Sequence, residues 1–210
     1  MKKKIKRLLF IFGITVLLIV LLFIINTIRT SIISSNSLTA INETAQQVLQ
    51  HSSAAAELTF TFTRQGGIAT GQYAIWIEDS QGQYVKTLFA TSWTANGGWR
   101  RRPSSIPAWV RQSGVADKPQ EEIDTISSAT PATGTVTHVW DGRNSQGASV
   151  PDGDYVLFLE GTLRWENIVL YRAPIRLGQG FSTPAVNVEY SGDSTAERTM
   201  ISEVVVRTLR

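Results

Sequence analysis

A mostly β, antiparallel sandwich standing behind one N-terminal membrane helix is the fold class that this sequence predicts, and three patterns predict it. An uncharged run extends from Leu8 to Ile25, an apolar/polar alternation with period two begins at Leu58, and clusters of Gly, Pro and Asp recur between the alternating segments. A continuous run of 18 residues has the length of a helix that crosses a bilayer. Alternation, by contrast, lets a strand bury one face and wet the other.

Only Gly13 and Thr15 interrupt the apolar character of the run, and Lys2, Lys3, Lys4, Lys6 and Arg7 precede it. Basic residues ahead of a first helix stay in the cytosol, so everything after Asn26 is expected outside it. A cleaved signal peptide shares the basic start, but its apolar core is about 7 to 15 residues long and ends at a small-x-small site. Here the run continues into Asn26-Thr27-Ile28-Arg29, and residues 1–28 are assigned to a cytosolic tip and a retained anchor. Residues 29–56 are rich in Ser, Thr, Asn and Ala, with Leu38, Ile41, Ala45, Val48 and Leu49 at helical spacing. They read as a stalk with one short helix, ending near a solvated His51.

Residues 57–210 read as the folded domain. Leu58, Phe60 and Phe62 alternate with threonines, and Tyr73, Ile75 and Ile77 repeat the pattern. The segment Asp79-Ser80-Gln81-Gly82-Gln83 then turns the chain into Tyr84–Phe89, predicting a hairpin. Thr135–Trp140 and Tyr155–Glu160 predict a second pair around a loop carrying Asp141-Gly142, Gly147 and Pro151-Asp152-Gly153. Ile168–Leu177, Ala185–Tyr190 and Ile201–Arg207 complete the set, which suggests a sandwich of immunoglobulin type. The stretch at about 90–134 breaks the pattern as a long loop insertion, and long loops in compact domains are usually functional or disordered. It is the place to look for function.

Composition excludes several classes. The pI near 9.3 comes from the five basic residues ahead of the apolar run. Setting those five aside leaves 15 Lys and Arg against 17 Asp and Glu, a formal charge of −2, so the exported part carries no nucleic-acid footprint. With no cysteine there are no disulfides, no Cys-ligated clusters and no lipid-modified Cys anchor. His138 is the only histidine after the stalk and lies inside a predicted strand without a nucleophile elbow, so no catalytic residue is assigned. Asp141, Asn144, Asp152 and Asp154 fail the spacing of a calcium loop and read as turn residues; no metal ligand set is assigned.

The passage His138-Val139-Trp140-Asp141-Gly142-Arg143, followed by Gly147, Val150-Pro151-Asp152-Gly153 and Tyr155, resembles the immunoglobulin-like repeat of flagellar hook-capping proteins. It is still more similar to a family of predicted periplasmic proteins of uncharacterised function, over a region from about Leu58 to the C-terminus. Physically the hairpin is turn chemistry, with glycines supplying positive φ and proline presetting it. A second resemblance carries chemistry. Asp124-Thr125-Ile126-Ser127-Ser128-Ala129-Thr130 is similar to the Asp-x-x-(Ser/Thr)-Gly-Ala-(Thr/Ser) sequence at which flavin transferases attach FMN to exported redox proteins. The resemblance implies a phosphoester between the FMN phosphate and the Thr130 hydroxyl, with Asp124, Ser127, Ser128 and Ala129 as the recognition positions. Ser128 stands where that motif has Gly, and its Cβ would slow a transferase that needs close backbone approach.

Trp93, Trp99 and Trp109 could stack on the flavin ring, and Arg100, Arg101 and Arg102 could meet its phosphate; the alternative is that the tryptophans pack and the arginines are solvated. Trp76, Trp140 and Trp165 fall in or beside strands and are expected to pack. The sequence thus implies a membrane-anchored carrier of electrons with covalent FMN, served by a flavin transferase and by a membrane-embedded or exported redox partner. A non-catalytic binding or scaffold module of the cell envelope is the alternative. A reporter fused after Arg210 is expected to be active only outside the cytosol; activity in the cytosol would overturn the assigned topology.

Overall fold

The computed structural model describes residues 54–66, 70–192 and 196–210, all within the second of the chain's two units, Ser53–Arg210. The expected anchor and all but the last residues of the expected stalk lie outside the described residues. Among the described residues no helix is long and apolar enough to cross a membrane.

Among the described residues nine strands follow in order: β1 (Ala56–Phe62), β2 (Thr70–Asp79), β3 (Tyr84–Thr91), β4 (Ser127–Ser128), β5 (Gly134–Trp140), β6 (Gly153–Arg164), β7 (Asn167–Leu177), β8 (Asn187–Ser191) and β9 (Ile201–Thr208). They form a three-stranded sheet, β5-β1-β9, and a six-stranded sheet, β4-β3-β2-β6-β7-β8. Every pairing is antiparallel except that of β3 with β4. The domain is mostly β with two sheets, as the alternation predicts, but the division is three against six and one face carries a layer of helices.

The two sheets share a core. From β1 come Leu58, Phe60 and Phe62, from β2 Tyr73, Ile75 and Ile77, and from β6 Tyr155, Leu157, Leu159 and Leu163. The intervening threonines of β1 face outward, where Thr59 meets the Thr137 hydroxyl at 3.2 Å and Thr61 donates to Glu203 at 2.6 Å. Gly161 of β6 faces inward because a Cβ there would sit 2.5 Å from the Cδ1 of Ile201. His138 of β5 lies among the rings of Phe60, Tyr73 and Phe89, and burial pushes its imidazole down to about 4, so it is neutral and structural.

Turn chemistry closes the hairpins. Asp79 Oδ1 accepts the backbone N–H groups of Gln81 and Gln83, each at 2.9 Å, between β2 and β3. Asn144 Oδ1 accepts those of Gln146 and Ala148 between β5 and β6. Asp141 pairs with Lys86 at 3.2 Å, and Asp154 with Arg176 at 3.4 Å, which places these residues in structural roles.

The insertion is the main departure from expectation. It folds as an irregular turn, Thr94–Gly98, followed by α1 (Trp99–Arg101), α2 (Pro107–Ser113) and α3 (Gln120–Ile126). These elements cover the outer face of the six-stranded sheet with a second core of Trp76, Ala90, Ile106, Trp109, Val115 and Ile123. Trp76 stacks on Phe158 at 4.9 Å, and the Trp109 indole N–H donates to Thr87 at 2.9 Å. Trp109 is therefore core, and unavailable to a ligand.

Glu160 holds this layer down. It points outward from β6 yet is only 2% exposed, and its carboxylate accepts the backbone N–H groups of Ala108 at 3.0 Å and Trp109 at 2.8 Å, at the start of α2. Beside it Thr162 accepts the Ile106 N–H at 2.8 Å and donates to Ser104 O at 3.1 Å. Ile106 is held at φ 42°, a left-handed conformation costly for a β-branched residue, so that the chain can enter α2 at Pro107. Burial pushes the Glu160 carboxyl up to about 7, against the pull of the two amides.

Glu160→Ala is expected to leave two buried amides unpaired, at a cost of about 1–3 kcal/mol for each, read as a lower urea midpoint. Gly161→Val should cost about 1–3 kcal/mol by overpacking the inner core. Their neighbours set opposing pH dependences. Glu160 keeps a proton that the unfolded chain has lost, a contribution present at low pH and lost as the pH rises through about 7. His138 refuses a proton that the unfolded chain takes, a penalty that grows as the pH falls toward about 4. Between these values Glu160→Gln should make stability rise more steeply with pH than in the wild type, and His138→Phe should make it fall; unchanged slopes in urea titrations would refute both assignments.

Candidate functional site

The segment Asp124–Thr130 leaves the last turn of α3, runs along the edge of the six-stranded sheet and begins the crossover to β5 in the other sheet. Ser127 and Ser128 form β4, paired in parallel with Ala90 and Thr91. The attachment is only two residue pairs long, and the β3 edge holds it on one side. The expectation of a segment without regular structure is thus corrected: the insertion's polar end is a helix turn and a short edge strand.

Each motif position has a defined setting. Asp124 is exposed and accepts a hydrogen bond from Gln120 Nε2 at 2.7 Å, and the same nitrogen donates to Asn96 Oδ1 at 2.7 Å. That bridge ties α3 to the turn containing Trp93, since Asn96 Nδ2 donates to Ser92 O at 2.9 Å. Ser128 and Ala129 are exposed, and Ser127 is half-buried. Thr130 is half-buried, and its hydroxyl donates to Gly71 O at 3.3 Å. Gly71 has φ +73°, and a Cβ there would meet the Thr130 methyl at 3.8 Å. The next residues are tied as well, with Arg64 N donating to Thr133 Oγ1 at 2.8 Å.

The tryptophans sort by exposure. Trp76, Trp109 and Trp140 are buried, whereas Trp93 is 45% and Trp165 56% exposed. Trp165 departs from its expected packing role: it caps the β6–β7 turn with φ 51°, its carbonyl held by Arg102 Nη2 at 2.8 Å and Ser104 Oγ at 3.2 Å. Both exposed indoles lie at the end of the six-stranded sheet where β2 begins and β3 and β6 finish, the end that carries Thr130. Arg102 Nε is buried there without a partner, and burial lowers the guanidinium's pKa.

Trp99 and Arg100 occupy a different surface. The Arg100 guanidinium lies 4.5 Å from the centre of the Trp99 ring, and both line a shallow hollow of about 570 Å³ with Pro103, Pro107, Val110 and Arg111. The arginine occupies a face that stacking on a ligand would need. Gly71, Gln72, Glu160 and Thr162, which position the site, were missed by sequence reasoning. The one available signal is Glu160 itself, an acidic residue at the end of the apolar run Tyr155–Leu159.

The described residues contain no group of three or more His, Cys, Asp or Glu side chains able to hold a metal ion. No curated protein and no solved structure matches the chain. A family model does match, over residues 55–194, which takes in the six-stranded sheet, β1 and β5 of the smaller sheet, the helical layer and the Asp124–Thr130 segment, and ends before β9. With well over half of its length matched, the chain belongs to the family of predicted periplasmic proteins designated DUF2271.

Proposed function

We propose that this protein is a membrane-anchored, extracytosolic electron carrier with FMN bound covalently to Thr130. The observation that carries the reading is the position of the hydroxyl. It ends a near-match to an attachment sequence and lies on a sheet edge fastened by two residue pairs, so a transferase can reach it without opening either core.

The residues nearby fit such a group. Two exposed indoles offer planar faces at the end of the sheet that carries Thr130. Asp124 is exposed and fixed by Gln120, as a recognition residue should be. Ser128 presents its side chain to solvent, so the departure from Gly leaves the fold undisturbed and bears only on transferase approach. FMN, when bound, supplies the electron transfer. The protein's own contribution is to hold the acceptor against Gly71, to offer aromatic surface and to keep the site on a rigid sheet beyond the membrane. No residue of the chain has to act as an acid or base. The anchor over residues 1–28 would keep the carrier near a membrane-embedded or exported redox partner.

Co-expression with a flavin transferase, followed by intact mass and in-gel flavin fluorescence, tests the assignment. The wild type should gain the mass of FMN, Thr130→Ala should gain none, with a loss of about 0.5–1.5 kcal/mol of stability for the hydrogen bond to Gly71, and Thr130→Ser should keep part of the label. Ser128→Gly should increase labelling and Asp124→Ala should reduce it. A wild type without added mass, or a Thr130→Ala variant still fully labelled, would exclude the acceptor and leave an envelope binding module as the better reading.

A further inference from the structure

We infer that Trp93 is the face on which the isoalloxazine ring of the flavin lies, an inference that rests on attachment at Thr130. The sheet brings the two segments to one end. Ser128 pairs in parallel with Thr91, and beyond this pair one chain runs on to Thr130 while the other turns into a helical conformation at Trp93. Thr130 rests on Gly71 O, and the next residue of β2, Gln72, accepts the hydroxyls of Thr91 at 2.7 Å and Thr94 at 2.8 Å. These two threonines bracket Trp93. Its backbone is therefore fixed from both sides, next to the strand whose Gly71 seats the acceptor.

The indole is fixed as well. A Cβ on Gly98 would fall 2.5 Å from Trp93 Cδ2 and Cε3 and 2.4 Å from its carbonyl oxygen, so the ring lies against bare backbone that only glycine allows. One side of the indole is seated and the side chain stays 45% exposed. An immobilised aromatic plane with an open side suits a flat aromatic ligand, because little freedom remains to be lost on stacking. The other tryptophans serve less well. Trp76, Trp109 and Trp140 are buried, Trp99 carries Arg100, and Trp165 stands across β2 on the β6–β7 turn.

Stacking on an indole quenches flavin fluorescence, so the test is emission per bound flavin in the full-length protein, with loading read from intact mass. In the loaded wild type the yield should be low. Trp93→Leu should raise it several-fold at unchanged loading, Trp93→Tyr should keep it low, and Trp165→Leu should leave it at the wild-type level. A second arm does not depend on the covalent bond: free FMN titrated into full-length Thr130→Ala should lose emission in a saturable way, and the added Trp93→Leu change should abolish this. Full loading with a yield indifferent to Trp93 would overturn the platform while the acceptor stands. Saturable quenching through Trp93 in a chain that never gains FMN mass would support the platform and overturn the acceptor. A yield that rises only in Trp165→Leu would move the ring to Trp165 and refute the inference, and absence of both mass gain and quenching would refute both readings.

Discussion

The carboxylate of Glu160 is the constraint on which the outer half of the domain depends. A strand that faced water would need no more than a polar residue at this place, but β6 faces a helical layer, and its acid is almost wholly covered. Such burial is tolerable only where the carboxyl finds donors, and the first amides of α2 supply them. The helix in turn has N–H groups that need an acceptor from outside itself. Each unsatisfied group thus resolves the other, and the strained entry at Ile106 is held by the adjacent Thr162. Once α2 is fastened, Trp109 sits over Thr87, and the remainder of the layer packs around it.

Because β6 lies in the middle of the six-stranded sheet, it feeds two cores at once. Leu157 and Leu159 enter the space between the sheets, while Phe158 and Glu160 enter the space beneath the helices. The site at the end of the sheet inherits this rigidity. Gly71, Gln72 and Thr91 belong to strands buried on both faces, so their backbone positions are set before any ligand or enzyme arrives.

The strands were legible because their chemistry is local. Leu58, Phe60 and Phe62 alternate with threonines whatever lies across from them, and Asp79 and Asn144 make their turns with their own neighbours. The helical layer was not legible. Pro107–Ser113 and Gln120–Ile126 span barely two turns each, too short for a helical period to stand out, and what stabilises them lies elsewhere in the chain, at Glu160 and Thr87. The same holds at the candidate site. Asp124 and Thr130 could be singled out as a sequence, whereas the seat of Thr130 on Gly71 depends on a contact between residues 59 positions apart. Trp165, expected to pack, is exposed because its position at the tip of a turn leaves no layer above it.

The edges of the six-stranded sheet are closed in different ways. At one edge β8 is short and exposed, with Glu189 paired to Arg172 of β7, and charge of this kind discourages a neighbouring molecule from adding a strand. At the other, β3 carries Lys86, paired to Asp141, and β4, part of the Asp124–Thr130 segment, covers two of its last residues. Displacing that segment uncovers unpaired N–H and C=O groups beside Ala90. The stretch that β4 covers is two residues long, too short to template a lasting intermolecular sheet, so opening this edge would not by itself invite self-association.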